Sequence, residues 1–329
     1  MARRAVVLMN LGGPDSPRAV RPFLYNLFSD PAIIGLPGLL RLPLAWLVAA
    51  RRAPIARGIY AQLGGASPLL ANTEAQARAL EEELGPDYRC FIAMRYWHPL
   101  TAATVGAVKA WQPDEIILLP LYPQYSTTTT ASSLAAWRRE AIRQGLGGET
   151  RAIRNYPAAE GFIAAVAGLV AATLADAATA GKPLRLLFSA HGLPLKIVAA
   201  GDPYPREVES TAAAVVSALA RPELDWCVCY QSRVGPLAWL RPSVEEELRR
   251  AGQEGVGVVV APISFVSEHS ETLVELDRDY RRLAETCGVP AYHLVPTVGT
   301  DPRFIAALAG LVRGTGQPET AAAQAGVLS

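Results

Sequence analysis

The chain has 329 residues, 31 basic and 30 acidic, for a net charge of +1, with 50% hydrophobic and 19% charged residues. That balance excludes wholesale disorder and supplies core enough for two ordinary domains. It also argues against a nucleic-acid partner, because such proteins carry a clear basic excess. Four cysteines (Cys90, Cys227, Cys229 and Cys287) form no C-x-x-C pair, and a reduced, cytoplasmic setting is expected.

An apolar run at residues 5–11 reads as the first strand and ends at Gly12. It starts so early that no secretory leader is expected. Gly12, Gly13 and Pro14 follow without a G-x-G-x-x-G or a P-loop, so nucleotide binding is not supported. No uninterrupted apolar run is expected to span a bilayer. Residues 31–50 come nearest, but Pro37, Gly38, Arg41 and Pro43 interrupt them. Composition favours a buried helical lip here. The alternative is an amphipathic surface that leans on a membrane, edged by Arg51 and Arg52.

Helices are expected over residues 72–84, 159–180, 204–220, 242–251 and 302–312, with buried strands at 184–191 and 256–263. The alternation predicts an α/β fold with parallel sheets covered by helices on both faces. The chain also repeats itself. Residues 5–11 align with 184–191, 90–100 (C-F-I-A-M-R-Y-W-H-P-L) with 227–237 (C-V-C-Y-Q-S-R-V-G-P-L), and 117–121 with 259–263. We read two doubly wound domains with a cleft between them. The first spans 1–157 and includes the lip at 31–52. The second spans 158–313, its last helix expected to pack back on the first domain, and a frayed tail follows at 314–329.

His191 lies in S-A-H-G-L-P at the end of one buried run, and S-E-H-S-E-T-L-V-E-L-D at 267–277 follows another. Open α/β sheets bind ligands outside the carboxyl ends of their strands. An imidazole on one such loop and carboxylates on the other can bind a cation or move protons. Glu268, Glu271, Glu275 and Asp279 are spaced by 3, 4 and 4 residues, which on an α-helix puts them on one face. A solvated acidic face is the plain reading of such a stripe. Its start at a strand end beside His269 favours a cation route, with Glu271 nearest the chemistry.

His191 taken alone is by default a hydrogen-bonded structural histidine, although Gly192 after it permits close ligand approach. His98 and His293 have no ligating neighbours and read as structural. Cys227 and Cys229 lack a second pair, so zinc is not supported. Arg51, Arg52, Tyr60, Arg95, Tyr96, Trp97, Tyr122, Tyr125 and Trp239 form an aromatic and arginine-rich set. Such a set suits a large planar ligand that carries acid groups.

Eight segments occur in order: N-L-G-G-P at 10–14, G-G-A-S-P-L at 64–69, R-Y-W-H-P-L at 95–100, L-Y-P-Q-Y-S at 121–126, S-A-H-G-L-P, G-D-P-Y-P at 201–205, Y-Q-S-R-V-G-P-L-A-W-L, and the acidic run at 268–277. Through them the chain resembles the ferrochelatases, terminal enzymes of haem synthesis, over nearly its whole length. The resemblance implies two Rossmann-like domains around a porphyrin cleft. It implies insertion of Fe²⁺ into protoporphyrin IX with release of two protons. His191 and Glu271 fall on the active-site pair, with proton removal and metal binding to be divided between them, and Glu268 and Glu275 on an acidic path. Arg52 and Ser67 match propionate-contacting positions. Leu11, Tyr60, Arg95, Tyr122 and Trp239 complete the expected substrate-binding set.

No cysteine follows Cys287, so the [2Fe–2S] cluster of some relatives is not expected, nor is any tightly bound cofactor; iron is a substrate. Leu11 stands where coproporphyrin-using relatives carry tyrosine, which favours protoporphyrin IX. A coproporphyrin or other tetrapyrrole chelatase is the alternative. A non-catalytic tetrapyrrole carrier would need neither base nor acidic stripe. The implied setting is cytoplasmic, with peripheral contact on the inner face of the membrane, as monomer or homodimer.

Overall fold

A computed structural model describes residues 2–314 apart from 179, 180, 182, 234 and 236. The first half builds β1 (Arg4–Asn10), α1 (Val20–Phe28), α2 (Gly38–Ala61), α3 (Leu69–Leu84), β2 (Tyr88–Met94), α4 (Thr101–Trp111), β3 (Glu115–Pro120), α5 (Thr130–Gln144) and β4 (Glu149–Ala152). The second half builds α6 (Glu160–Ala178), β5 (Leu184–His191), α7 (Leu195–Ala199), α8 (Tyr204–Leu219), β6 (Asp225–Gln231), α9 (Val244–Glu254) and β7 (Gly257–Pro262). A π-helix (Glu271–Asp279), α10 (Tyr280–Thr286), β8 (Tyr292–Leu294) and α11 (Pro302–Arg313) close the chain. Of the expected tail at 314–329, residues 315–329 lie outside the described residues; Gly314 ends α11 with a φ of +79°.

Two sheets result, ordered β2-β1-β3-β4 and β6-β5-β7-β8, and every strand pair is parallel. The identical orders equate β1 with β5, β2 with β6 and β3 with β7, the same equivalences that the repeated sequence segments predict. Central strands are buried on both faces, which is why they read as unbroken apolar runs. Val6 and Leu8 point into one apolar cluster, and Ala5, Val7 and Met9 into another. This is the two-residue alternation of a strand. The first cluster joins both sheets and includes Phe162, Phe188, Val259 and Phe304.

Two expectations are corrected. The helix among the described residues that is long and apolar enough to cross a bilayer is α6, not the segment at 31–50. It is rich in alanine and valine, and it packs against α8 and α11 with Phe162 and Val170 buried. It is therefore a core helix. The lip, conversely, is not buried. In α2 the buried residues are Ala45, Ala49, Ala53 and, near its end, Tyr60; the alanines repeat every four residues so as to form one narrow face against α1. Leucines on the remaining faces are left open: Leu39 is 91% exposed and Leu40 62%.

The last helix packs on both α3 and α6. Gly161 permits the α6 approach, since a Cβ there would lie 2.4 Å from the Arg303 carbonyl oxygen. Gly161→Ala is expected to lower the unfolding free energy by about 1–3 kcal/mol. A fall in the urea midpoint, with turnover per folded molecule unchanged, is the result to look for.

Candidate active site

His191 is the last residue of β5, and the chain turns at once through Gly192. A Cβ at Gly192 would stand 2.8 Å from the Gln231 carbonyl oxygen and 3.4 Å from the Trp239 ring. Glycine is therefore required for the β5 and β6 ends to approach under Trp239. Its N–H donates to that same Gln231 carbonyl at 2.8 Å. Trp239 is fixed next to it by the short bridge between Pro194 and Trp239.

Glu271 is the first residue of the π-helix, and its Oε2 lies 2.9 Å from His191 Nδ1. Both side chains remain open, 43% exposed for His191 and 28% for Glu271. Glu275 sits one turn on. Its Oε1 accepts the Ser232 N–H at 2.9 Å, and its Oε2 accepts the Ser232 hydroxyl at 2.5 Å. Ser232 Oγ is also 3.3 Å from Glu271 Oε2. Ser232 holds this position with a φ of +61°, a left-handed conformation uncommon for a non-glycine residue. Tyr280 lies within hydrogen-bond reach of two acids, Glu275 Oε1 at 3.1 Å and Glu245 Oε1 at 3.3 Å. Glu271, Ser232, Glu275, Tyr280 and Glu245 thus form one hydrogen-bonded chain.

The charges on this chain follow from its surroundings. Burial opposes ionisation of Glu271, but the adjacent His191 imidazole outweighs it and holds the carboxyl down at about 2. His191 is raised in turn: burial pulls it down, and Glu271 overrides this. The contact favours the imidazolium–carboxylate form of the pair. Burial first, and then the negative Glu271, push Glu275 up.

The acidic stripe is arranged differently from the α-helical expectation. The helix is of the rare π type, which recurs at functional sites, and it begins only at Glu271. Glu268 precedes it, with Oε1 taken up by the N–H and hydroxyl of Thr297 at 2.8 and 2.9 Å. Asp279 is exposed at the far end. Burial lowers the pKa of His269, whose Nδ1 accepts the N–H groups of Glu271 and Thr272. Ser232, Tyr280 and Glu245 had no signal in the spacing of acidic residues; Y-Q-S-R-V-G-P marked Ser232 only as part of a segment, and His269 stood out only as the neighbour of the stripe.

The expected substrate residues divide into groups. Leu11 packs on the apolar cluster of α1, α2 and Tyr96, which includes Tyr60. Burial pushes the Tyr60 hydroxyl up to about 12, and it lies beside Ser270 and Glu271. The Arg52 guanidinium lies 5.9 Å from the Phe28 ring centre. Ser67 packs on Gly13, where a Cβ would stand 2.5 Å from the serine Oγ. Burial raises Tyr122, which lies beside Ser133 and Arg95. Arg95 is committed elsewhere: its Nε donates to Ser132 at 2.8 Å and its Nη2 to Asp30 at 2.6 Å. A separate hollow of about 410 Å³, lined by Tyr125, Arg154, Lys196 and Asp202 among others, includes neither His191 nor Glu271. Among the described residues no three His, Cys, Asp or Glu side chains stand together as a metal site.

The ferrochelatase family model matches residues 3–315. Curated relatives named ferrochelatase include that of Caulobacter vibrioides, 56% identical over 94% of this chain and 89% of its own length. Those of Phenylobacterium zucineum (57%, covering 93% and 89%) and a Wolbachia of Drosophila simulans (51%, covering 94% and 98%) are similar. The chain therefore belongs to the ferrochelatase family, whose reaction is the insertion of iron into a porphyrin. Solved structures share the fold at lower identity. The SirB structure from Bacillus subtilis with Fe³⁺ matches with a TM-score of 0.52 at 13% identity, over 95% of this chain and 96% of that one. The sirohydrochlorin chelatase SirB in complex with cobalt, from subspecies spizizenii, matches with a TM-score of 0.55 at 13% identity, over 95% of each chain.

Asp30 anchors the base of the lip. It accepts from Arg95, from the Tyr96 hydroxyl at 2.7 Å and from the Ala32 N–H at 2.9 Å. Burial opposes its charge, but the Ser132, Ala32, Arg95 and Tyr96 contacts hold its carboxyl below 3.8. Asp30→Asn leaves Arg95, only 17% exposed, without its counter-charge, and is expected to cost about 3–5 kcal/mol. Because the folded pKa is depressed, the Asp30 contribution is full above the unfolded value near 3.8 and is lost as pH falls through the folded value. The stability gap between wild type and variant should be flat above about pH 5 and shrink below about pH 4. Urea titrations across that range measure it.

Proposed function

We propose that this member of the ferrochelatase family inserts Fe²⁺ into protoporphyrin IX, releasing two protons and forming protohaem, the last step of haem synthesis. The observation that carries the reading is the 2.9 Å contact between His191 Nδ1 and Glu271 Oε2. It couples a base to a carboxylate at the carboxyl end of a parallel sheet. Bending the macrocycle exposes pyrrole protons and lone pairs, so a site that binds the bent ring favours the transition state over the flat substrate.

In the imidazolium form that the Glu271 contact favours, His191 cannot accept a proton. Fe²⁺ approaching Glu271 competes with the imidazolium for the carboxylate, and the imidazolium gives its proton to water at its open side. Neutral His191 then accepts a pyrrole proton, and Glu271 faces the metal. The raised Glu275 is the next acceptor, reached through Ser232 at 2.5 Å. Tyr280 and Glu245 extend the outlet, a route that replaces Glu268 with Glu245.

The apolar Leu11 side chain, packed in the lip cluster, offers no hydrogen bond and suits a vinyl edge better than a propionate. Arg52 and Ser67 are the proposed propionate contacts, with Tyr60, Tyr122 and Trp239 as walls. Arg95 supports them by holding Asp30. We propose no tightly bound cofactor: the four free cysteines lie on β2, on β6 and after α10. The exposed leucines of α2 support reversible contact with the inner face of the membrane from a cytoplasmic location.

An anaerobic assay with Fe²⁺ tests the reading. Protoporphyrin IX should turn over and coproporphyrin III should be the poorer substrate. His191→Ala and Glu271→Gln are each expected to reduce turnover by about 10²–10⁴-fold with porphyrin binding retained, and Glu275→Gln by less. Activity within a few-fold of wild type in both strong variants would remove the pair from the mechanism. Replacing Leu39, Leu40 and Leu44 with serine should weaken vesicle sedimentation and raise the Michaelis constant for porphyrin, leaving the iron dependence unchanged; equal sedimentation of both proteins would count against the lip as a membrane surface.

A further inference from the structure

His269 opens the π-helix. Its Nδ1 accepts the N–H of Glu271 at 3.2 Å and that of Thr272 at 3.3 Å. The Thr272 hydroxyl oxygen accepts the His269 N–H at 3.0 Å in return. Reciprocal bonds between a residue and the one three places on are the geometry of a capping box. Here an imidazole stands in for the usual hydroxyl and a threonine for the usual glutamate. The first N–H groups of any helix lack partners within it, so the cap must be an acceptor. A protonated imidazole has two donors and no acceptor. The ring stands edge-on to Phe265 with centroids 4.5 Å apart, which keeps Nδ1 turned to the helix.

The segment that carries His269 is itself held from both sides. Gln76 is fully buried; its Nε2 donates to the carbonyls of Val266 and Gly299, both at 2.9 Å, and its Oε1 accepts from Ser267 at 3.0 Å. Asn72 donates to the Glu268 carbonyl at 2.9 Å. With the entry fixed, the cap decides where the first turn points, and Glu271 lies in that turn.

We infer that His269 is a positioning residue: a neutral imidazole whose Nδ1 caps the π-helix and so sets Glu271 against His191, with no part in binding metal or carrying protons. The inference rests on the proposal that Glu271 works in iron insertion. His269→Ala removes the acceptor, and a displaced carboxylate should cost on the order of tenfold or more in kcat. His269→Asn keeps a capping oxygen, asparagine being among the best N-caps, and should recover most of that loss. A metal ligand or proton acceptor would not be rescued by an amide.

Nitrogen NMR of the histidine side chains in wild type gives a second readout that does not depend on a folded variant. Nδ1 of His269 should be unprotonated and Nε2 protonated, and both signals should be unmoved by Zn²⁺ alone. Ala and Asn variants equally impaired, an Ala variant as active as wild type, or a Zn²⁺-shifted Nδ1 would each overturn the inference. Loss of activity in Glu271→Gln beside an unaffected His269→Ala would sink this inference and spare the proposed function. A silent Glu271→Gln would sink the proposed function itself, while the capped tautomer could still be read.

Discussion

Two buried side-chain amides hold the halves of this molecule in relation to one another. Gln76 reaches from α3 to the loop after β7, and Gln124, 2% exposed, reaches from the loop after β3 to Thr211 and to the Ile263 carbonyl at 2.9 and 3.2 Å. A buried polar group left unpaired costs about 1–3 kcal/mol, so neither amide can give up its partners as the halves shift. Both act at the carboxyl ends of strands, where His191 and the segment leading to Glu271 are presented. The sheets supply rigid delivery. The amides give the loop at 263–269 one position, and the π-helix that starts from it inherits that position.

The electrostatics of the site depend on that placement. Two glutamates one turn apart repel, and burial strengthens the repulsion. The site resolves this by giving each a different partner. Glu271 faces an imidazole and stays ionised, whereas burial and the negative Glu271 raise Glu275 despite the Ser232 hydroxyl and N–H it accepts, so it holds its proton more tightly. The wider π turn leaves both carboxyls facing the β6 end, and the left-handed Ser232 turns its N–H toward them. Strain at one residue is thereby exchanged for two neighbouring carboxyls of unequal proton affinity.

Much of this was legible in the residues. Strand ends at His191 and near residue 262 follow from apolar runs that stop at polar residues, and the repeated segments mark strands that the two sheets place equivalently. What was not legible depends on backbone geometry. Spacing of 3, 4 and 4 assumes an α-helix, and nothing local announces a π-helix, so Glu268 was assigned to a stripe it does not join. Arg95 read as a carboxylate ligand because Asp30 lies 65 residues away in sequence. Composition misjudged the lip because it counts apolar residues without knowing whether a second surface exists to cover them.

The internal repeat shows how one frame came to hold a single reactive centre. Asn10 and His191 are the last residues of β1 and β5, and Met94 and Gln231, their partners across the two sheets, end β2 and β6. In the first half the strand-end side chain is spent on structure: Asn10 donates to Thr73 at 3.1 Å and accepts the Leu11 N–H at 2.8 Å. One residue past β2, Arg95 neutralises Asp30 at the root of the lip. In the second half the same two places hold His191, left 43% exposed, and Ser232, which grips Glu275. The first half satisfies its polar groups internally and so becomes a wall. The second leaves an imidazole and a carboxylate with capacity to exchange partners, and exchange of partners is what replacing two protons by a divalent cation requires.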